Sequence, residues 1–355
     1  MTDVPISIQD PGLSHRVSRL QTLPAVQYTR QPPRRLWYCD RAARDQNDIH
    51  YTQLQAQLSE QSLYLLLDAD VRGKGVITLD GRMLRENLEG APVDRLRPQI
   101  AQEAPGDARV IEEPVFYALR YGVRNYGHCL TDILPRMIWF HQNHPGIRMA
   151  VHKDMPAPLF DALRSFGIRE QHLLTMGDEH LRVRQLYFMD LWNRHPLVHA
   201  PRSFDCLRQL RQSLPPLGWR QTFKRWPTRL FVTREDATTR RAVNHDAVER
   251  VLRSRGYTPL SCGKLSLHDQ IRHFSAAEAV VGISGAALTN TVFCQPGVPV
   301  VNLAPASMPS SYFWDIAHHA GLPYSAGYFT ALQPHKGIHS DLSIDLDGLE
   351  QLLAD

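Results

Sequence analysis

The alternation of short apolar segments with helix-like segments between residues 230 and 303 limits the fold of this chain more than any other feature. Apolar runs of strand length recur at residues 230–232, 258–261, 279–282 and 298–303. Between them, apolar side chains recur at helical spacing, at residues 246–255, 267–274 and 286–293. Strands that alternate with helices in this way predict a parallel sheet covered by helices.

An earlier alternation of the same kind occupies residues 115–214, and a proline-rich break at residues 214–218 follows it. We therefore predict an α/β fold with two doubly wound, Rossmann-like domains that face a cleft, which agrees with a length of 355 residues. The predicted segments are a poorly determined N-terminal arm (residues 1–60), an N-terminal α/β domain (61–217), a C-terminal α/β domain (222–335) and a C-terminal helix (336–355).

The composition argues against several classes of protein. The 40 basic and 36 acidic residues leave a net charge of +4, which is too small and too dispersed to indicate a nucleic-acid partner. The five cysteines form no CxxC pair, so they predict neither a zinc site nor a disulfide framework, and they favour a reducing compartment. The sequence shows neither a signal-peptide pattern nor an apolar run of about 18 residues. We expect a cytoplasmic protein, and peripheral association with the inner face of the membrane stays open.

A small-residue turn in the second alternation suits a phosphate group. The strand at residues 279–282 runs into Ser284, Gly285 and Ala286, and a helix that includes Asn290 begins there. Small residues let a ligand approach the backbone, and the free N–H groups at a helix start attract anions. The alternative is a tight turn that needs glycine for packing alone.

Arginines follow the neighbouring strand of the same alternation. Arg234 comes directly after the strand, and Arg240, Arg241 and Asn244 lie in the loop beyond it. A leaving diphosphate needs its charge neutralised by fixed cationic donors or by a divalent metal. Arg234 and Arg241 favour the first arrangement, with less weight on Arg240, and the alternative is a solvated basic loop.

A histidine and a carboxylate stand four residues apart in the first alternation. If the segment is helical, His128 and Asp132 lie on one helix face, where a carboxylate would raise the basicity of the imidazole. Such a pair suits a general base that takes a proton from a hydroxyl. The alternative is that Asn125 or Asp132 caps the helix and that His128 is a core histidine.

These patterns, taken in order, resemble glycosyltransferase family 61, over about residues 60–330. The resemblance includes N-x-x-H-x-x-x-D-x-x-P, which here is Asn125, His128, Asp132 and Pro135. It continues with an arginine at the end of a strand, here Arg234, and with a second arginine followed by an asparagine, here Arg241 and Asn244. A serine and a glutamine come next, here Ser266 and Gln270. It ends with G-x-H-G-A-x-L-T-N, here residues 282–290, in which Ser284 replaces the family's usual histidine.

The resemblance implies a GT-B-like fold and inverting transfer of a sugar from a nucleotide-sugar donor, most simply a UDP-sugar, to a glycan or lipid-linked glycan of a capsular or cell-surface polysaccharide. It implies no metal. The implied nucleotide-binding residues are Arg234, Arg241, Asn244, Ser266, Gln270, Ser284, Gly285, Ala286 and Asn290. Asn125 is placed on the acceptor side, and the base is either His128 or Asp132.

Two alternatives remain at this stage, and the sequence does not address the oligomeric state. One is a catalytically inactive subunit that binds a nucleotide sugar, which the departure at Ser284 keeps open. The other is a metal-dependent GT-A-type transferase that uses the Asp68-Ala69-Asp70 tripeptide, although a simple turn explains that tripeptide well.

Overall fold

The computed structural model describes residues 4–72, 75–88, 93–94, 108–194, 198–214 and 226–354. Its internal contacts divide the chain into two compact units. Unit 1 comprises residues 1–26 and 58–195, and unit 2 comprises residues 27–57 and 196–355. The helix Pro201–Gln212 therefore belongs to unit 2, whereas most of the proline-rich break at residues 214–218 lies outside the described residues.

Unit 1, as far as it is described, contains a nine-stranded mixed sheet. Its parallel part has the spatial order Leu173–Met176, Arg148–His152, Val115–Tyr117 and His180–Met189. Its antiparallel part continues through Gln61–Arg72, Val76–Leu79 and Arg82–Met83. Val17–Leu23 joins Gln61–Arg72 antiparallel, and Arg109–Ile111 joins His180–Met189 in parallel. The antiparallel part differs from the predicted doubly wound sheet, because periodicity within a segment does not reveal the direction of its neighbour.

The helices of unit 1 follow its parallel strands. They are Tyr126–His128, the π-helical Cys129–Ile133, Leu134–Asn143 and Ala157–Ser165, with short 3₁₀ turns at Pro11–Leu13, Arg85–Asn87 and Glu170–His172. Pro135 lies in the first turn of Leu134–Asn143, directly after the π-helical segment Cys129–Ile133. Phe116 and Phe140 stack with ring centroids 3.9 Å apart and fasten this helix to the sheet.

Unit 2 is built on a largely parallel sheet. The spatial order of its parallel strands is Thr258–Leu260, Arg229–Val232, Ala279–Ile283, Val300–Pro305, Tyr324–Ala331 and Arg35–Tyr38. The short strand Leu342–Ser343 pairs antiparallel with the end of Tyr324–Ala331. All five residues of Ala279–Ile283 are buried, as expected for a central parallel strand with both faces covered. The four strands predicted between residues 230 and 303 are thus confirmed to within two residues at either end.

The helices of unit 2 cover this sheet. They are Arg41–Asn47, Ile49–Thr52, Pro201–Gln212, His245–Ser254, Leu267–Ser275, Tyr312–Ala320 and Leu346–Leu353, with 3₁₀ segments at Ala286–Phe293 and Pro334–His339. Gly282 lets one of them approach closely, since a Cβ there would lie 2.6 Å from Leu288 Cδ1. The final helix is shorter than the predicted 336–355, because a 3₁₀ segment and a strand precede it.

Residues 1–60 contribute to both units, although the sequence shows few periodic signals there. Val17–Leu23 belongs to the sheet of unit 1, and Arg35–Tyr38 extends the parallel sheet of unit 2. Val26–Thr29 and Gln55–Leu58 form a separate two-stranded sheet. Most side chains of Val17–Leu23 are exposed, so this strand lacks the alternation that would have revealed it. Among the described residues, every helix is too short or too polar to span a lipid bilayer.

Candidate functional site

The strand order of unit 2 reverses between Arg229–Val232 and Ala279–Ile283. The chain passes from Arg229–Val232 to its outer neighbour, Thr258–Leu260, and then returns to the other side as Ala279–Ile283. In open parallel sheets, ligands bind beyond the carboxyl ends of the strands at such a switch point. Arg234 and Gly285 are the second residues beyond the ends of these two strands, so the structure places both at this position.

Arg234 and Gly285 are in close contact. A Cβ added to Gly285 would lie 1.9 Å from Arg234 Nη1 and 2.9 Å from Cζ, so only glycine lets the guanidinium rest on this turn. The Nε and Nη2 atoms of Arg234 both donate to the Thr239 carbonyl, at 3.2 and 3.0 Å. These bonds hold the guanidinium in place. Its Nη1 stays beside the turn at Gly285, where the 3₁₀ segment that begins at Ala286 presents its first N–H groups.

Arg240 provides a second positive charge near Arg234. It is half-buried, and its backbone has a φ of +58°, which non-glycine residues rarely adopt. Its Nε is buried without a hydrogen-bond partner among the described residues, and its Nη1 lies 3.7 Å from Met308 Sδ. Burial and, to a smaller extent, the nearby positive charge of Arg234 together lower the pKa of Arg240 to about 10.

In the described part of the chain, neither of these two arginines is paired directly with a carboxylate. Among the described residues, neither guanidinium forms an ion pair with a carboxylate within 4.0 Å. Burial also lowers the pKa of Arg234, with carboxylates of Asp236 and Asp341 acting in the opposite direction. Half-buried like charges without directly paired counter-ions are costly, and a bound anion that accepts their hydrogen bonds would remove that cost. The pair therefore has the electrostatic character of an anion-binding site.

A cleft of about 390 Å³ opens beside Arg234. Its walls include Arg241, His245 and Ile283, as well as the carboxylates of Glu235, Asp246 and Asp341. The Arg241 side chain is 56% exposed, and its Nη2 lies 3.7 Å from Asp341 Oδ2. Arg241 is thus a rim residue that already faces an acidic group, in contrast to Arg234 and Arg240. The volume lies in the range that small ligands occupy.

In unit 1, Asn125 and His128 begin the helical segment after the strand Val115–Tyr117. Asn125 Oδ1 accepts a hydrogen bond from the Gly127 N–H at 2.9 Å and so caps the helix start. His128 is half-buried and lies against Gly122, where a Cβ would meet its Cδ2 at 3.3 Å. Gly122 has a φ of +92°, so both its conformation and the adjacent ring favour glycine.

Asp132 is fully buried, and both of its oxygens have partners. Its Oδ2 lies 2.8 Å from Arg136 Nη2 and 3.6 Å from Arg120 Nη1, and its Oδ1 accepts from the Trp192 N–H at 2.9 Å. Burial raises the pKa of Asp132, but the two arginine charges and these hydrogen bonds outweigh burial, so that the net pKa lies below its ordinary value. The carboxylate is therefore held ionised inside the unit, which does not fit a base that meets a substrate. Asp132 thus pairs with these arginines instead of the expected His128, and it lies within the π-helical segment that begins directly after His128.

Residues 126–301 match the family model described as Glycosyltransferase 61. The chain belongs to glycosyltransferase family 61. The match includes the His128 segment of unit 1 and the Arg234 and Gly285 segments of unit 2, so the resemblance inferred from the sequence is confirmed. Membership of this family supports a glycosyltransferase activity. None of the curated proteins compared with the chain gives a significant match.

Several residues that the resemblance assigned to the nucleotide instead hold this transferase together. Asn244 bonds the backbone of Ile344 twice, donating to its carbonyl at 2.7 Å and accepting from its N–H at 3.0 Å. Asn290 and Gln270 are buried and share a bond of 2.7 Å. Their side chains are therefore engaged inside unit 2, which does not fit the expected contacts with a nucleotide.

Two serines of the predicted set are also engaged. Ser266 caps the helix Leu267–Ser275 and exchanges hydrogen bonds with Asp269. Ser284 is 1% exposed and donates to Asn302 Oδ1 at 2.6 Å, and Asn302 in turn donates to the Tyr324 hydroxyl. The hydroxyl that replaces the family histidine therefore points into the core of the transferase, and a direct bond from it to a phosphate does not fit this geometry.

The Asp68 and Asp70 carboxylates of this transferase are paired with arginines in the sheet of unit 1. Asp68 Oδ1 accepts from Arg184 Nη1 at 2.6 Å, and Asp70 Oδ1 accepts from Arg182 Nε at 2.9 Å. A pair of carboxylates already neutralised in this way is poorly suited to a divalent metal. The geometry therefore disfavours the GT-A-type alternative.

Sequence reasoning did not single out Asp190 in unit 1. It follows the strand His180–Met189, and its Oδ2 accepts a hydrogen bond from the Ser62 N–H at 2.9 Å. Burial raises the pKa of Asp190 to about 6. The position of this carboxylate directly after a strand was the one sequence signal that it could be functional. Its burial, which raises the pKa, depends on contacts across the sheet that the sequence does not show.

Proposed function

We propose that the protein is an inverting glycosyltransferase that transfers a sugar from a nucleotide-sugar donor to a hydroxyl of a glycan acceptor. The observation that carries this proposal is the pair Arg234 and Arg240, half-buried and without carboxylate partners among the described residues, at the switch point of unit 2. Membership of glycosyltransferase family 61 supports the reaction class. We infer a GT-B-like division of labour, with the donor on unit 2 and the acceptor on unit 1.

The diphosphate of the donor is assigned to the arginine pair. Arg234 Nη1, the Arg240 guanidinium and the backbone N–H groups of Gly285 and Ala286 supply donors and positive charge for its oxygens. The same groups stabilise the charge that grows on the diphosphate as the sugar leaves, so the transfer needs no divalent ion for this purpose. Arg241 acts at the rim of the cleft. Uridine is the default base, and a UDP-sugar is the default donor.

His128 is the base in this proposal. It takes the proton from the acceptor hydroxyl while the oxygen attacks the anomeric carbon and the bond from that carbon to the diphosphate breaks. Attack opposite the leaving group inverts the anomeric configuration. Asn125 caps the helix that carries His128 and thereby positions it on the acceptor side. Asp132 serves as the counter-ion of two arginines instead of acting as the base.

The acceptor class follows from the family resemblance. A glycan or lipid-linked glycan of a capsular or cell-surface polysaccharide is the proposed acceptor, and a cytoplasmic protein with peripheral attachment to the membrane is the proposed setting. The alternative of a catalytically inactive, donor-binding subunit keeps one supporting observation, the internal bond from Ser284 to Asn302 at the position of the family histidine. Donor hydrolysis and transfer assays distinguish the two, because only an enzyme releases the sugar.

Titration with nucleotides tests the donor site. We expect the full-length protein to bind one of UDP, CMP and GDP clearly more tightly than the other two, with the same affinity in the presence and absence of EDTA, since arginines and backbone amides supply the donors. Isothermal calorimetry provides the measurement. Binding that disappears with EDTA would show that an ion holds the diphosphate, and failure of all three nucleotides to bind would contradict the proposed donor class.

A further inference from the structure

Three potential metal ligands meet at the edge of the unit 2 cleft. His245 Nε2 lies 3.0 Å from Glu249 Oε2 and 3.4 Å from Glu235 Oε1. One ligand atom from each residue lies within 4.8 Å of the other two. Glu235 follows Arg234 directly in sequence, and His245 and Glu249 lie one turn apart on the helix His245–Ser254.

These separations suit a shared metal ion. Zinc lies about 2.0–2.2 Å from imidazole nitrogens and carboxylate oxygens, so a tetrahedral arrangement places its ligand atoms about 3.3–3.5 Å apart. The distances from His245 Nε2 to the two carboxylates are close to this value. A set of one imidazole and two carboxylates suits a transition-metal ion such as Zn²⁺ better than Mg²⁺, which keeps most of its water ligands.

Neighbouring side chains already hold the ligands in place. Glu249 Oε1 accepts a hydrogen bond from Arg253 Nε at 2.6 Å, which leaves Oε2 for His245. The imidazole of His245 stacks on Phe231, with ring centroids 5.7 Å apart. Fixed partners of this kind orient the ligands of known metal sites.

We propose that Glu235, His245 and Glu249 bind a divalent transition-metal ion of the Zn²⁺ class at the edge of the cleft. Two of these residues line the cleft, so an ion there keeps room for water or another ligand in its remaining positions. This site is separate from the arginine pair, and the transfer proposed above does not depend on it.

Metal binding to variants of the full-length protein tests this proposal. Metal-free protein without nucleotide is titrated with Zn²⁺ by calorimetry, and its Co²⁺ complex is examined by visible absorption. We expect His245→Gln and Glu249→Gln each to weaken Zn²⁺ binding by about 100-fold and to change the Co²⁺ spectrum, because each removes a direct ligand. Glu249→Gln keeps an acceptor oxygen for Arg253, and thermal unfolding of the metal-free variants verifies that they fold.

His335→Gln is the matched control, since His335 is exposed in unit 2 and belongs to no metal-ligand cluster among the described residues. We expect this variant to bind Zn²⁺ as the wild type does. Equal Zn²⁺ affinity in the wild type, His245→Gln and Glu249→Gln would overturn the proposal, as would no binding to the wild type. Both outcomes would indicate that His245 is only an ion-pair partner of the two carboxylates. Because no nucleotide is present, neither result affects the test of the arginine pair.

Discussion

Replacing His128 with alanine is expected to lower turnover by about 10²- to 10⁴-fold while donor affinity stays unchanged, because a general base acts only in the chemical step. His128 lies on the unit assigned to the acceptor and is half-buried against Gly122, so its imidazole is positioned but still accessible. Steady-state kinetics give kcat, and calorimetry with the preferred nucleotide gives donor affinity. Circular dichroism verifies folding.

His15→Ala is the matched control for this prediction. His15 is an exposed histidine of unit 1, and we expect its loss to leave both kcat and donor affinity unchanged. Near-normal turnover in His128→Ala would show that another group takes the proton. Asp190 would then be the first candidate in unit 1, since burial raises its pKa to about 6.

Replacing Asp132 with asparagine is expected to lower the free energy of unfolding by about 3–5 kcal/mol, because it removes a negative charge that is paired with buried guanidinium groups. Arg136 is fully buried and Arg120 is 2% exposed, and Asp132 Oδ2 lies near both. The folded-state pKa of Asp132 lies below its ordinary value of 3.8, so its contribution is fully present at neutral pH and disappears only as the pH falls through that lowered pKa. Denaturant unfolding at pH 7 gives the change in stability.

The same variant distinguishes a structural role from a catalytic one. We expect the folded fraction of Asp132→Asn, assayed at low temperature, to keep a kcat of the same order as the wild type. Asp161→Asn is the control, because Asp161 pairs with Arg164 on the surface and its loss should change stability little. A stable Asp132→Asn protein with turnover reduced by orders of magnitude would contradict the structural assignment and restore Asp132 as the base.

The features that sequence reasoning predicted well depend on short stretches of chain. The strand Ala279–Ile283 is a continuous apolar run, and Arg234 and Gly285 follow parallel strands, so the rule that strand ends meet at a switch point brings them together. The strand Val17–Leu23 was missed because its side chains are mostly exposed. The antiparallel pairing of Gln61–Arg72 with His180–Met189 was missed because strand direction depends on distant pairing.

The roles of individual polar residues were harder to predict, because they depend on partners far along the chain. Asn244 has the residue type expected of a ligand-binding amide, but its partner Ile344 lies 100 residues away. Ser284 looks like a phosphate-binding hydroxyl until Asn302 is placed beside it. Arg240 was given less weight than Arg241, yet its half-burial and its closeness to Arg234 become visible only in the folded unit.

The central claim is tested most directly by titrating the Arg240→Gln variant with a nucleoside, with its monophosphate and with its diphosphate. With uridine as the base, we expect this variant to weaken UDP binding by about 1.5–3 kcal/mol, or roughly 10- to 150-fold, and to leave uridine binding unchanged. Arg250→Gln, which removes an exposed arginine from the helix His245–Ser254, should bind all three ligands as the wild type does. An unchanged UDP affinity in Arg240→Gln, or an equal loss for uridine and UDP, would contradict a diphosphate site at the arginine pair.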